Sequence, residues 1–223
     1  MANNYTLDNT IPLAPLKIAA LDSCRSLAES VDQYIVNFRK NDMERLKDKW
    51  IGPDYRGYNR ESYLLDLHCA RFGSGEAKCV LNESVRGTDV FAMVDVTNYS
   101  MTYSICGHTN HMSPDDHYQD LKRLICAAST AHRINVIMPF LYESRQHKRT
   151  HRESLDCASA LEELVSMGVS NIITFDAHDP RVQNAIPLHG FDNFTPPYQF
   201  IKALFQREKN LKIDKEHLMV ISP

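Results

Sequence analysis

From Leu64 onward the sequence alternates short, almost wholly apolar runs with longer segments whose apolar residues recur at helical spacing. Val90–Val96, Ile134–Met138, Asn171–Phe175 and Leu218–Ile221 read as strands. Strands that are apolar on both faces must be covered on both faces. Pro114–Thr130 predicts a helix with Tyr118, Leu121, Leu124, Ile125 and Ala128 on one side. Leu155–Met167 predicts another through Leu155, Ala158, Leu161 and Val165, and Tyr198–Phe205 a third. The alternation implies an α/β chain with a mostly parallel central sheet between helical layers. Right-handed crossovers then bring the carboxyl end of every strand to one edge, where such sheets bind ligands.

Upstream, Leu16–Leu21 reads as a strand, followed by a helix with Leu27, Val31, Tyr34, Ile35 and Phe38 on its apolar face and Ser23 or Ser26 as its cap. Residues 41–63 read as a short helix plus an irregular insertion around Trp50-Ile51-Gly52-Pro53, and residues 1–15 as a loose amino-terminal segment. Leu67–Phe72 and Ala77–Leu81 predict two strands around the turn Gly73-Ser74-Gly75-Glu76.

With 223 residues, 43% of them hydrophobic, the chain can bury a core without disulfides. A formal net charge of −3 argues against broad attraction to nucleic acid or acidic membranes. The six cysteines show no zinc or redox spacing and read as buried free thiols of a reducing compartment. The first residues lack the basic and apolar regions of a signal peptide, and no stretch is long enough to span a membrane, so the expected location is cytoplasmic.

The P-loop signature is missing, and Gly73-x-Gly75 lacks the third glycine of the dinucleotide fingerprint. Three other segments carry candidate chemistry. Arg145-Gln146-His147-Lys148-Arg149, with Arg152, gathers positive charge just after a buried strand. Guanidinium forks suit phosphate oxygens, although a basic run alone is commonly a solvated loop. Asp176-Ala177-His178-Asp179 leaves another strand with a carboxylate and an imidazole in reach of one cation, or with Asp176 merely orienting His178. Arg71-Phe72-Gly73-Ser74-Gly75-Glu76 allows close backbone approach to a ligand and sets Phe72 beside it, though a plain hairpin turn would look the same.

Taken in order, Arg71-Phe72, Glu83-Ser84-Val85-Arg86-Gly87-Thr88-Asp89-Val90, Phe140-Leu141-Tyr142 with Arg145-Gln146, Asn171–His178, Gln183, Ile186-Pro187, Asp192-Asn193 and Val220-Ile221-Ser222-Pro223 resemble ribose-phosphate pyrophosphokinases. The resemblance implies a phosphoribosyltransferase-like three-layer fold. It implies an enzyme that moves pyrophosphate from ATP to ribose 5-phosphate, giving phosphoribosyl pyrophosphate and AMP for nucleotide biosynthesis. By that resemblance residues 16–223 form the amino-terminal, ATP-binding domain, and the domain holding ribose 5-phosphate is absent from this chain. Phe72, Ser74, Gly75 and Glu76 match an adenine-contacting turn that reaches ATP across a subunit contact, which implies a homo-oligomer. Arg145 and Gln146 match the ATP-binding pair, and His178 a ligand of the Mg2+ that accompanies ATP, with Asp176 either a second ligand or its support. No residue here matches a catalytic group, so the fragment alone is expected to be inactive. His147 departs from the acidic residue usual after the Arg-Gln pair.

Two other classes are weighed beside this one. A non-catalytic regulatory or scaffolding homologue would keep the same motifs. A metal-dependent hydrolase would use Cys106, His108, His111, Asp115, Asp116 and His117, but their spacing fits no zinc site, and Ser113 as N-cap with Pro114 as first helical residue accounts for the segment.

Overall fold

The computed structural model describes residues 12–45, 57–210, 212, 214–219 and 221. Five strands, β1 (Leu16–Ala20), β4 (Asp89–Met93), β7 (Arg133–Met138), β8 (Val169–Phe175) and β9 (Gly190–Phe194), form one sheet in that spatial order, and every neighbouring pair is parallel. Two antiparallel hairpins stand apart from it: β2 (Leu67–Arg71) with β3 (Ala77–Leu81), and β5 (Thr102–Ile105) with β6 (His108–His111). The helices are α1 (Arg25–Arg45), α2 (Pro114–Ala127), α3 (Asp156–Ser166) and α4 (Pro197–Arg207).

Strand alternation sorts the sheet into two faces. Val90, Ala92, Ile134, Val136, Met138 and Ile172 meet Leu121, Leu124 and Ile125 of α2 and Leu161 and Leu164 of α3 in the larger core. Ile18, Ala20 and Met93 point the other way, onto Ala28 and Val36 of α1. The result is the three-layer α/β arrangement implied by apolar strands separated by amphipathic helices. At the amino end of the strands, the buried Asp89 carboxylate accepts from Arg133 Nε at 2.9 Å and Asn135 Nδ2 at 2.7 Å. Three strand positions are thereby tied in register.

Four sequence expectations are corrected. Of the expected strand Leu218–Ile221, Leu218, Met219 and Ile221 are described, exposed and outside any strand, and the fifth strand is Gly190–Phe194 instead. Gly, Asp and Asn are poor strand formers. Here Asn171 Nδ2 donates to Asp192 at 2.7 Å, and Asn193 Oδ1 accepts from the Ala177 amide at 3.0 Å, so side-chain bonds specify the pairing. On α1, Leu27, Tyr34 and Phe38 are exposed, and the buried stripe runs through Ala28, Asp32 and Val36. Asp32 sets that rotation by accepting from Ser62 Oγ at 2.8 Å and the Tyr63 amide at 2.7 Å. Ser23 sits in a 3-10 turn ahead of α1, where its Oγ accepts from the Asp95 amide at 3.2 Å, and Ser26 lies inside the helix. The cysteines are free, as expected, but only Cys24 and Cys157 are buried.

The region read as an insertion, 41–63, begins inside α1 and returns through Tyr58 and Tyr63, both buried; its residues 46–56 lie outside those described, as do 1–11 of the amino-terminal segment. No described helix is long and apolar enough to cross a membrane.

Gly190 is required by contact. A Cβ there would fall 2.4 Å from Asn171 Oδ1 and 3.2 Å from its Cβ. Gly190→Ala must turn Asn171 away from Asp192, so a loss of about 1–3 kcal/mol is expected for overpacking, read as a lower midpoint in thermal unfolding. An unchanged midpoint would show that Asn171 has room to move.

Candidate functional site

Parallel register delivers two loops to one place. Met138 of β7 pairs with Thr174 of β8, so the chain leaves both strands side by side at the carboxyl edge. Just beyond, the Phe175 amide donates to the Pro139 carbonyl at 3.3 Å. The β7 loop is anchored by buried Leu141 and Ser144, and Glu143 takes a positive φ of 56°. Tyr142 stacks on Tyr118 with centroids 4.3 Å apart and donates to Asp115 at 2.6 Å. Burial, then the Asp115 bond, pushes the Tyr142 hydroxyl above its ordinary range. The loop ends by docking on α3, where the Cys157 amide donates to the Gln146 carbonyl at 3.3 Å.

The β8 loop opens with Asp176 at φ 49°, a left-handed conformation that Asp tolerates better than most residues. The Asp176 amide donates to the Phe194 carbonyl at 2.9 Å, which fixes the bend against β9. The loops then touch. His147 Nε2 lies 3.4 Å from Asp179 Oδ2, and the His147 and His178 rings are tilted with centroids 5.2 Å apart. Arg181 holds the Asp179 carboxyl well below the usual carboxylate range, with His147 adding to the effect.

Arg145 and His178 therefore share one edge, as the sequence implies. Arg145 is exposed, and it borders a cleft of about 380 Å³ with Val96, Thr97, Pro114, Phe140 and Tyr142. The Gln146 Oε1 atom is buried without a hydrogen-bond partner. Asp176 and His178 are exposed, and neither side chain is engaged in a hydrogen bond or ion pair. Lys148 and Arg152 are also exposed and extend the basic character of the loop.

The turn at Phe72–Glu76 is a separate structure. The Phe72 amide donates to the Glu76 carbonyl at 2.7 Å, and Gly75 sits at φ 89° with its carbonyl accepting from Arg71 at 3.1 Å. Arg71 is the hub: it pairs with Asp120 at 2.9 Å, lies 3.7 Å from Asp116 and stacks over the Tyr103 ring at 4.5 Å. Phe72, Ser74 and Glu76 point outward, and Ser74 Oγ donates to Glu76 at 3.0 Å. The contacts of this turn run to α2 and the β5–β6 hairpin rather than to the Arg145 or His178 loops.

The Cys106–His117 segment shows no metal site; among the described residues no group of His, Cys, Asp and Glu is placed to hold an ion. It forms the β5–β6 hairpin with Cys106-Gly107 at the tip, both at positive φ, followed by Ser113 as the expected N-cap, which the structure extends to a capping box with Asp116. His111 Nδ1 lies 2.9 Å from the Tyr99 carbonyl, and His117 Nε2 3.0 Å from that of Asn98. Sequence reasoning missed the hairpin, whose signal is the Cys-Gly pair between polar and apolar alternation. It also missed His147 and Asp179 as the junction of the two loops, a contact between remote segments that no local pattern announces.

Residues 16–168 match the family model described as the N-terminal domain of ribose phosphate pyrophosphokinase. The chain belongs to that family. The ribose-phosphate pyrophosphokinase B of Dictyostelium discoideum is 24% identical over 157 residues, covering 69% of this chain and 43% of its own. The ribose-phosphate pyrophosphokinase of Pasteurella multocida is 28% identical over 164 residues, covering 72% and 46%. The chain thus spans about half the length of the curated relatives it matches. The crystal structure of phosphoribosylpyrophosphate synthetase from Mycobacterium smegmatis superimposes with a TM-score of 0.62 at 18% identity, over 87% of this chain and 53% of that one, which shows a shared fold. The family match stops before β8, so Asp176 and His178 lie beyond it.

Asp120 supports the turn through Arg71, and both side chains are largely buried. Asp120→Ala removes the nearest carboxylate from both Arg71 and Arg123, leaving Arg71 the Gly75 carbonyl and the more distant Asp116, and a loss of about 2–4 kcal/mol is expected in denaturant unfolding. Glu163→Ala, which removes the more exposed partner of Lys122, should cost under about 1 kcal/mol through that ion pair. Equal losses from both would remove the special place given to Arg71.

Proposed function

We propose that the chain is the ATP-binding half of a ribose-phosphate pyrophosphokinase, whose full-length form transfers pyrophosphate from ATP to ribose 5-phosphate and releases AMP. The observation that carries this reading is the meeting of the β7 and β8 loops at the carboxyl edge. There Arg145 stands exposed on a cleft, in the loop whose His147 meets the exposed His178 of the β8 loop. Family membership supports the parent enzyme class.

In this reading Arg145 binds the ATP phosphates through its planar fork, and Gln146, with its unsatisfied Oε1, supplies a polar contact at the same site. Phe72 and the Ser74–Glu76 turn present an aromatic face and polar groups outward, which suits adenine delivered by a neighbouring copy in a homo-oligomer. Asp176 and His178 fit Mg2+ that arrives with the nucleotide. Two donors are too few for a closed metal cage, and magnesium commonly keeps its waters and substrate phosphates beside one or two carboxylates. Magnesium, held by Asp176 and His178, would neutralise charge on the phosphates, and the residues named here would orient them. Alignment contributes a large part of the barrier reduction in phosphoryl chemistry. None of the residues named here is assigned to ribose 5-phosphate, and weak binding of magnesium and nucleotide is what this reading expects of them.

The test is calorimetry with magnesium and ATP on the full-length gene product. Loss of a charged hydrogen bond is worth about 1.5–3 kcal/mol, so Arg145→Ala should weaken binding about ten- to a hundredfold. Unchanged affinity would remove Arg145 from the site. Tight binding by the wild type without AMP release on adding ribose 5-phosphate would point instead to a regulatory homologue.

A further inference from the structure

Cys69 and Cys79 face each other across the β2–β3 hairpin. Two backbone bonds fix the character of that pairing. The Phe72 amide donates to the Glu76 carbonyl at 2.7 Å, and the Asn82 amide to the Asp66 carbonyl at 2.9 Å. In an antiparallel ladder, hydrogen-bonded and non-hydrogen-bonded pairs alternate. Positions 66, 68, 70 and 72 therefore carry the hydrogen-bonded pairs, and Cys69–Cys79 is a non-hydrogen-bonded pair with the register unbroken on either side. Opposed Cα atoms at such positions lie about 4.5 Å apart, inside the span that a disulfide bridges. That span is near the short limit, so a bridge there is more readily reduced than a relaxed one.

From this geometry we infer that Cys69 and Cys79 form a reversible dithiol–disulfide site, oxidised by exchange with small-molecule disulfides. Both residues are only half buried, and Cys69 also borders an internal cavity of about 100 Å³ shared with Arg71 and Asp120. Their closeness sets the two thiols apart, with Cys69 pushed up and Cys79 lowered. Cys79 is accordingly the first nucleophile. Its thiolate attacks one sulfur of the incoming disulfide and expels a thiolate, leaving a mixed disulfide on Cys79. Cys69 then loses its proton and attacks the Cys79 sulfur, expelling the second thiolate. The two protons leave with the two released thiols, so one small disulfide is reduced for each protein disulfide formed. The bridge would lie at the base of the turn assigned above to adenine, but the site rests on the hairpin register alone and stands whether or not that assignment does.

The other cysteines provide internal controls. Burial pushes the Cys24 and Cys157 thiols up to about 11, which keeps them largely unreactive at neutral pH. Cys106 and Cys126 are exposed and available to form mixed disulfides.

The experiment incubates the folded chain at neutral pH in buffers of rising oxidised-to-reduced glutathione ratio. Free thiols are then trapped with N-ethylmaleimide and located by peptide mass spectrometry. The expected result is a Cys69–Cys79 crosslink that excess dithiothreitol reverses. With Cys69→Ser, Cys79 should accumulate glutathione. With Cys79→Ser, Cys69 should take up glutathione in its place, and neither variant should form the crosslink. Maleimide on both thiols of the wild type at the most oxidising ratio, or separate glutathione adducts without a crosslink, would overturn the inference.

Discussion

The parallel pairing of β7 with β8 is the constraint on which the rest of this structure depends. It buries Val136 and Ile172 against α2 and α3, and it sends Pro139 and Asp176 out of the sheet side by side. Without that register, the basic loop and the Asp176–Asp179 loop would have no reason to meet. The apolar contacts that set it run through the sheet and onto the helices, up to Met138 at the strand end. This division is common in α/β domains, where a rigid scaffold carries variable loops.

Within that scaffold, the site is fastened by a few directional interactions. Tyr142 joins the β7 loop to α2 through Asp115, and Gln146 joins it to α3 through its carbonyl. Asn193 holds the bend after β8. His147 closes the remaining gap by meeting both His178 and Asp179. His147 thus has a structural role, joining the two loops through its imidazole. The Phe72–Glu76 turn obeys a different logic, held by Arg71 from beneath with its outer face left open.

Much of the fold was legible in the sequence because apolar periodicity reports burial directly. β1, β4, β7, β8 and helices α2, α3 and α4 occur where the spacing puts them, with ends shifted by a few residues. β9 was not legible, because its pairing is specified by Asn171, Asp192 and Asn193 rather than by an apolar run. The apolar stretch Leu218–Ile221 misled because an apolar run alone does not say whether a strand edge is free to receive it. The α1 face was misjudged because the buried carboxylate of Asp32 rotates the helix toward Ser62 and Tyr63. At the candidate site, strand ends placed Arg145 and His178 on one edge, whereas the His147–Asp179 junction depends on loop conformations that include the left-handed Glu143 and Asp176.

The most direct measurement is a crystal structure of the protein with magnesium and a non-hydrolysable ATP analogue. The account predicts phosphate density against Arg145 on the β7 loop, with the cation at Asp176 and His178. It also predicts an adenine ring on the Phe72–Glu76 turn of an adjoining copy. Nucleotide bound on another part of the sheet, with the Arg145 and His178 loops empty, would contradict it.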